Sequence, residues 1–296
     1  MKPIAIVGPT ASGKSDAALE IATKINANIL SIDSLSIYKE IDIASAKPSL
    51  QERRRILHFG IDVLAPNEHF NVSTFIKLYQ EAKALSQEQN KALVIVGGTS
   101  FYLKALMTGL SEIPEISDTT HEKAKQILGD LTSAYALLKE ADPEYMARIE
   151  PQDRYRIEKM LHLYMQTGQT PSQWFAAHPP QPLIKELTLY NIDIDRDILR
   201  QRIALRTQKM LDMGLIDEVA SLEFRYGRAP NSMKAIGIVE VLEYLDGHLS
   251  YEAMREAIIT HTAQLAKRQH TFNTNQFDSV LHVSVNTLLQ EVLKPF

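Results

Sequence analysis

The residues best equipped for chemistry stand near the start of the chain. Gly8-Pro9-Thr10-Ala11-Ser12-Gly13-Lys14-Ser15 fits G-x-x-x-x-G-K-[ST], a spacing that wraps backbone N–H groups around phosphate oxygens. The turn's N–H groups and the positive end of the following helix form an anion nest. Lys14 would neutralise phosphate oxygens, and Ser15 offers a hydroxyl to Mg²⁺. Such a loop does not by itself say which phosphate it holds. A nucleotide hydrolase adds an acid at the end of a neighbouring strand to hold the metal. Here the apolar run ALVIVGG ends in glycines, and the acid, Asp33, closes ILSIDS instead. At a strand end Asp33 reads as a metal partner, as a base for an acceptor's proton, or as a plain turn aspartate. Gly97-Gly98-Thr99 adds a hydroxyl, and its glycines read as room for a ligand against the backbone.

These groups meet only if the strands that carry them end together. Residues 4–8 read as a buried strand, and 14–25 as a helix with Ala17, Ala18, Ile21, Ala22 and Ile25 on one face. ANILSIDS, HFGIDVL and KALVIVGGTS follow as strands, with a helix over 73–88 begun by Ser73 as N-cap and another over 100–108. Strands alternating with helices imply an α/β fold, a parallel sheet around the phosphate loop with helices on both faces. From 111 to 184 strand signals vanish and prolines punctuate helical segments, which reads as a helical insertion domain. KELTLYNIDI (185–194) rejoins the sheet; helices over 196–213, 215–226, 234–245 and 250–270, a strand near 279–283 and a terminal helix complete the chain. The expected catalytic core is therefore 1–110 plus 185–296, interrupted by 111–184. There is no internal repeat and no low-complexity tract.

Composition narrows the classes. The 296 residues are 45% apolar and 23% charged, as in ordinary globular proteins. No apolar run approaches the roughly 20 residues that span a bilayer. The absence of cysteine excludes disulfides, thiolate zinc sites and a cysteine nucleophile. A net charge of −4 weighs against general stickiness for nucleic acid, though a local basic face is compatible with it. MKPIAIVG leads straight into the strand that carries the loop, so a cleaved signal peptide is not expected and a cytoplasmic protein is.

A set of segments then resembles one family. GPTASGKS, DSLSIY, ASAKPS, GGTSFYLKALMTGL, RIEPQDRYRIEKMLHLYMQTGQTPS, RTQKMLDMGLIDEV, KAIGIVEVLEYLDG and AQLAKRQHTF occur in the order and spacing of the tRNA dimethylallyltransferases, or tRNA isopentenyltransferases, over residues 4–272. The resemblance implies transfer of a dimethylallyl group from dimethylallyl diphosphate, with Mg²⁺, to N6 of the adenosine 3′ of the anticodon, tRNA position 37. It implies that the loop, Gly8 to Ser15, grips a prenyl diphosphate although it looks built for ATP. Lys14, Mg²⁺ on Ser15 and an arginine would stabilise the leaving diphosphate. Arg206 is the expected arginine, with Arg202 second. Asp33 would accept the N6 proton while Thr99 positions the amine. The adenosine must leave its stack to reach them. By the same resemblance Asp33, Ser34, Leu35, Ser36 and Thr99 contact the tRNA. His121, Tyr155, Arg156, Ile157, Glu158 and Lys159 do so from the insertion, which would clasp the anticodon stem-loop, and Arg154 lies in the same stretch. Without the resemblance, DRYRIEK reads as an ordinary mixed-charge helix face. Lys267 and Arg268 read equally as phosphate contacts or as structure. A monomer is expected.

Some letters depart from the family's usual pattern. Ser36 stands where glutamine is common, Ala44-Ser45 replaces Gly-Thr, LHFGID carries one histidine instead of two, and Tyr155 replaces a glutamine. KRQHTFNTNQF lacks the aromatic pair and arginine that normally close its motif. These bear on adenine and tRNA contact and leave Lys14, Ser15, Asp33 and Thr99 untouched. The competing readings are prenylation of free AMP or ADP, which would not need 111–184; an ATP-dependent small-molecule kinase with the insertion as its lid; and a non-catalytic nucleotide switch.

Overall fold

The computed structural model describes residues 2–293; the outermost residues of the expected core, 1 and 294–296, lie outside the described residues. In chain order the first half runs β1 Ile4–Val7, α1 Lys14–Lys24, β2 Ala27–Ser31, α2 Leu50–Arg55, β3 His58–Phe59, α3 Val72–Glu88, β4 Ala92–Gly97 and α4 Ser100–Thr108. Helices α5 Asp118–Ile127, α6 Leu131–Ala141, α7 Pro143–Met146, α8 Arg154–Thr167 and α9 Pro171–Ala177 follow without a strand among them. Then come β5 Thr188–Ile192, α10 Arg196–Asp212, α11 Leu215–Tyr226, a 3₁₀ turn over Asn231–Lys234, α12 Ile238–Leu245, α13 Tyr251–Gln276, β6 Leu281–Val283 and α14 Val285–Val292.

Six parallel strands form one sheet in the order β3-β2-β4-β1-β5-β6. β4 lies between β1 and β2, with Val7 opposite Gly97 and Ser31 opposite Val96. Three strands thus end side by side, and the segments leaving them carry the phosphate loop, Thr99 and Asp33. β1 and β4 are almost wholly buried, as expected where helices cover both faces. Ala17, Ala18, Ile21 and Ala22 of α1 pack with Ile6, Val94 and Leu288, small side chains that let the helix lie close to the sheet. A second cluster joins Ile37 and Ile41 to α10–α13 through Met210, Leu215, Val219, Val241, Met254 and Ile258.

The chain divides into two compact units, Met1–Ala105 with Ile184–Phe296, and Leu106–Leu183. The second has its own core, in which Ala124, Leu128, Leu138, Met146, Ile157 and Leu161 are buried. Pro143 and Pro171 open α7 and α9, where a missing N–H costs nothing, and Asp142 and Thr170 cap them.

Several element boundaries differ from the sequence reading; the helix expected over 234–245, for one, begins at Ile238 after the 3₁₀ turn. α3 starts at Val72, because Asn71, not Ser73, caps it by accepting the Thr74 N–H at 2.9 Å. The strand expected over HFGIDVL is two residues long. Asp62 (φ +55°) turns the chain and serves instead as counter-ion to Lys47 and Arg53. Helix α13 continues to Gln276, six residues past the expected end.

Candidate active site

The phosphate loop leaves β1 and returns as α1. Gly13 stands just before the helix in the left-handed region (φ +90°), and Lys14 opens the helix with its side chain buried. The Ser12 N–H and the Lys14 Nζ both donate to the Pro9 carbonyl, at 3.2 and 3.0 Å. Pro9 therefore contributes an acceptor, and having no N–H it cannot serve phosphate as a donor. The Thr10 N–H is also committed: it donates to Gln269 Oε1 at 2.8 Å. The donors left for an anion lie toward the helix, where the dipole adds to them. Burial, reinforced by the Arg206 guanidinium and partly offset by Asp33, pushes the Lys14 ammonium down to about 8.

Asp33 follows β2 in a tight turn. Its Oδ1 accepts the N–H groups of Leu35 and Ser36 at 2.9 and 3.2 Å; among the described residues no hydrogen bond engages Oδ2. The turn is laced to the end of β4, since Ile32 N–H reaches Val96 O at 2.8 Å and Thr99 N–H reaches Ile32 O at 3.1 Å. Thr99 Oγ1 in turn accepts the Ser34 N–H at 3.3 Å, which keeps its own proton available. Gly97 and Gly98 both border open space at this edge, as their sequence suggested, and they also admit close neighbours. A Cβ on Gly97 would stand 2.8 Å from the Ile32 carbonyl carbon, and one on Gly98 would stand 2.3 Å from Gln269 Nε2.

Two cavities open at this edge. The larger, about 420 Å³, is lined by Thr10, Asp33, Ser34, Thr99 and Arg206 and has an apolar wall of Ile203, Met210, Ile236, Ile258 and Leu265. The smaller, about 70 Å³, lies beside Lys14, Ser15, Ser31, Ser36 and Lys47. Thr10, Asp33, Ser45 and Arg206 line both. Arg206 is lowered by burial and pulled back by Asp33 and Asp16. Arg202, one turn earlier on α10, donates to Ser12 O at 3.1 Å and supports the loop from outside both cavities.

Mg²⁺ favours hard oxygen donors and keeps much of its water, using one or two protein ligands beside substrate phosphates. The Ser15 hydroxyl, on the smaller cavity, suits such a role beside a substrate's phosphate oxygens. Among the described residues no group of three or more His, Cys, Asp or Glu is arranged to hold a metal.

Of the residues expected on tRNA, Ser34 and Leu35 line the larger cavity and Ser36 the smaller, where its hydroxyl lies 3.1 Å from Ser31 Oγ. In the helical unit Tyr155, Arg156 and Lys159 are exposed on α8, with the Lys159 ammonium 4.7 Å from the Tyr155 ring centre. His121 is exposed on α5 and meets His162 edge-on at 4.6 Å between ring centres. Burial, with His121 beside it, lowers the His162 pKa. Glu158 is half-buried. Ile157 is a correction: it is fully buried in the unit's core and its side chain meets no ligand.

Sequence reasoning missed Gln269, whose amide joins the two loops from α13, and Lys47. The Lys47 ammonium is enclosed by Tyr38 O, Asp42 and Asp62 at 2.6–2.7 Å. It also missed Glu218, which accepts the N–H groups of Asp42, Ile43 and Ala44 at 2.7–2.9 Å. All three lie inside segments that carry the family resemblance, ASAKPS, AQLAKRQHTF and RTQKMLDMGLIDEV, and that membership is the signal that could have found them.

A family model described as IPP transferase matches residues 36–276. A tRNA dimethylallyltransferase of Sulfurovum sp. is 54% identical over 295 residues, covering 99% of this chain and 98% of the relative. That of Sulfurimonas denitrificans is 55% identical over 293 residues and 99% of each. Among solved structures, the tRNA isopentenylpyrophosphate transferase of Bacillus halodurans superposes with a TM-score of 0.71 at 29% identity, over 98% of this chain and 94% of that one. A eukaryotic dimethylallyltransferase acting on tRNA gives a TM-score of 0.84 at 24% identity, over 98% and 76%, a likeness of fold.

Proposed function

The chain belongs to the IPP transferase family, and from that premise we propose that it transfers a dimethylallyl group from dimethylallyl diphosphate to N6 of the adenosine 3′ of a tRNA anticodon, position 37. The observation that carries this reading is the shared lining of the two cavities. Lys14 and Ser15 face one, Thr99 and an apolar wall face the other, and Asp33 and Arg206 face both. A phosphate-binding end and an amine-accepting end thus meet at one carboxylate and one guanidinium.

In the reaction the bond between dimethylallyl C1 and the diphosphate oxygen breaks, the N6–C1 bond forms, and N6 gives up one proton. Lys14, Arg206 and the free N–H groups at the start of α1 hold the departing oxygens as their charge grows. Held through the Ser15 hydroxyl, Mg²⁺ would supply further positive charge to the diphosphate. Asp33 takes the N6 proton on Oδ2 while its Oδ1 stays fixed by the turn. Thr99 orients the amine, and the apolar wall holds the five-carbon group and excludes water. No phosphoryl group is transferred, so the glycine end of β4 needs no metal-binding acid.

Ser34 and Leu35 bound the adenine, and α5 and α8 supply tRNA contacts through His121, Tyr155, Arg156 and Lys159. No described helix is long and apolar enough to cross a membrane. The enzyme acts as a cytoplasmic monomer in this reading. The test is incubation with Mg²⁺, dimethylallyl diphosphate and either unmodified tRNA or AMP, followed by digestion and mass measurement of the nucleosides. Prenylated adenosine from tRNA is expected. Prenylation of AMP alone, or phosphate transfer from ATP in its place, overturns the reading.

A further inference from the structure

We propose that Gln269 is the positioning residue that sets the separation between the diphosphate loop and the acceptor loop; this rests on the transfer reading of the same site. The loops leave neighbouring strands, but the ladder between β1 and β4 ends at Val7 and Gly97. Among the described residues no backbone hydrogen bond joins Thr10 to Gly98. The Gln269 amide makes that join. Its Oε1 accepts the Thr10 N–H at 2.8 Å, and its Nε2 donates to the Gly98 carbonyl at 3.1 Å.

The chemistry of the two partners selects an amide. The Thr10 N–H can only donate and the Gly98 carbonyl can only accept, so a group bridging those two must accept at one end and donate at the other. A carboxylate would face the Gly98 carbonyl with a like partial charge, and a cation would leave the Thr10 N–H without an acceptor. Length matters as well, because asparagine is one methylene shorter. The glycine at 98 fits the same account: the three atoms nearest to a Cβ built there all belong to Gln269, at 2.3, 3.2 and 3.7 Å. Helix α13 is itself held one turn further on, where the buried Asn273 donates to Asn191 Oδ1 in β5 at 2.8 Å. The amide is therefore a fixed strut from the sheet to both loops.

The leaving oxygen belongs to one loop and the attacking nitrogen to the other. Transfer is sensitive to their spacing, since a misplacement near 1 Å costs about 100-fold in rate. Binding of diphosphate alone involves one loop and should not sense the strut.

The test compares Gln269→Ala, Gly98→Ala and the double variant with the parent, using tRNA and dimethylallyl diphosphate for turnover and inorganic diphosphate for binding. Gln269→Ala is expected to lower kcat about 10- to 100-fold, with the thermal midpoint retained and diphosphate affinity within about threefold. Gly98→Ala, which pushes the amide aside, should reproduce the loss. The double variant should be no slower than Gln269→Ala, because the clash is then gone. A kcat within about threefold of the parent in Gln269→Ala overturns the proposal. So does an equal loss of diphosphate affinity, or losses that multiply in the double variant. A parent enzyme that forms no prenylated adenosine overturns the transfer reading and this proposal together, whereas an active parent with unaffected variants overturns this proposal alone.

Discussion

Burial and the neighbouring Arg206 guanidinium hold the Lys14 pKa near 8, against 10.5 for a free lysine. Between those two values the unfolded chain keeps a proton that the folded chain has lost, so this group adds stability as pH rises through that window and none is gained below it. Diphosphate prefers the ammonium. Its binding should therefore raise the Lys14 pKa and draw in a proton, up to roughly half a proton at pH 8. Calorimetry in two buffers of different ionisation enthalpy measures it, and Lys14→Ala should remove the excess along with much of the affinity. Equal proton uptake in both proteins would sink the assignment. Asp33 calls for a gentler change. Asparagine keeps an Oδ1 for the Leu35 and Ser36 N–H groups but cannot take a proton from N6. Asp33→Asn should lower kcat about 10²- to 10⁴-fold while diphosphate binding holds. A fully active variant would transfer the base's role elsewhere.

At the scale of elements, the segment Asp42–Lys47 reaches the site as irregular chain and depends on a helix far along the sequence. Glu218 on α11 accepts three consecutive N–H groups from it, and Lys47 ties its end to Asp42 and Asp62. Replacing Glu218 with alanine leaves those donors without their acceptor, a cost of about 1–3 kcal/mol. Urea denaturation should show that loss, and KM for dimethylallyl diphosphate should rise because Ser45 and Ala46 line the smaller cavity. An unchanged midpoint would show that water replaces the carboxylate. This dependence was invisible in the sequence, as were the bonds of Gln269 to residues 259 and 171 positions away. Period-2 and period-3.6 patterns report which face of an element is buried, so β1, β4, α1 and the run of helices from α10 were legible. The phosphate loop, Asp33 and Thr99 were legible for a different reason, since each sits where a buried strand stops. Side chains recruited to hold loops follow no period. Asp62 shows the cost: read as part of a strand, it is a turn residue committed to two cations.

For the whole molecule, 36 acidic against 32 basic side chains give a net charge of −4, so attraction to tRNA must come from where the cations stand. Tyr155, Arg156 and Lys159 are exposed in the helical unit, and among the described residues the ion-pair partner of Arg156 is Asp153, at 3.1 Å in an accessible setting. Arg154 is different, because it donates to Leu128 O at 3.3 Å and so helps hold the unit's own backbone. Ile157 between them is core. The stretch that resembles the family's tRNA segment is therefore two things at once, and its sequence alone did not separate them. Each phosphate contact releases counterions, steepening the fall of log affinity with log salt by about 0.7–0.9. Arg156→Ala with Lys159→Ala should weaken tRNA binding and flatten that slope by about 1–2. Diphosphate binding, which uses the other unit, should not change. Arg154→Ala should instead lower the thermal midpoint more than it changes the salt slope. Filter binding of labelled tRNA across a salt series distinguishes the two cases. An Arg156/Lys159 variant with the parent's slope would move the tRNA face off α8.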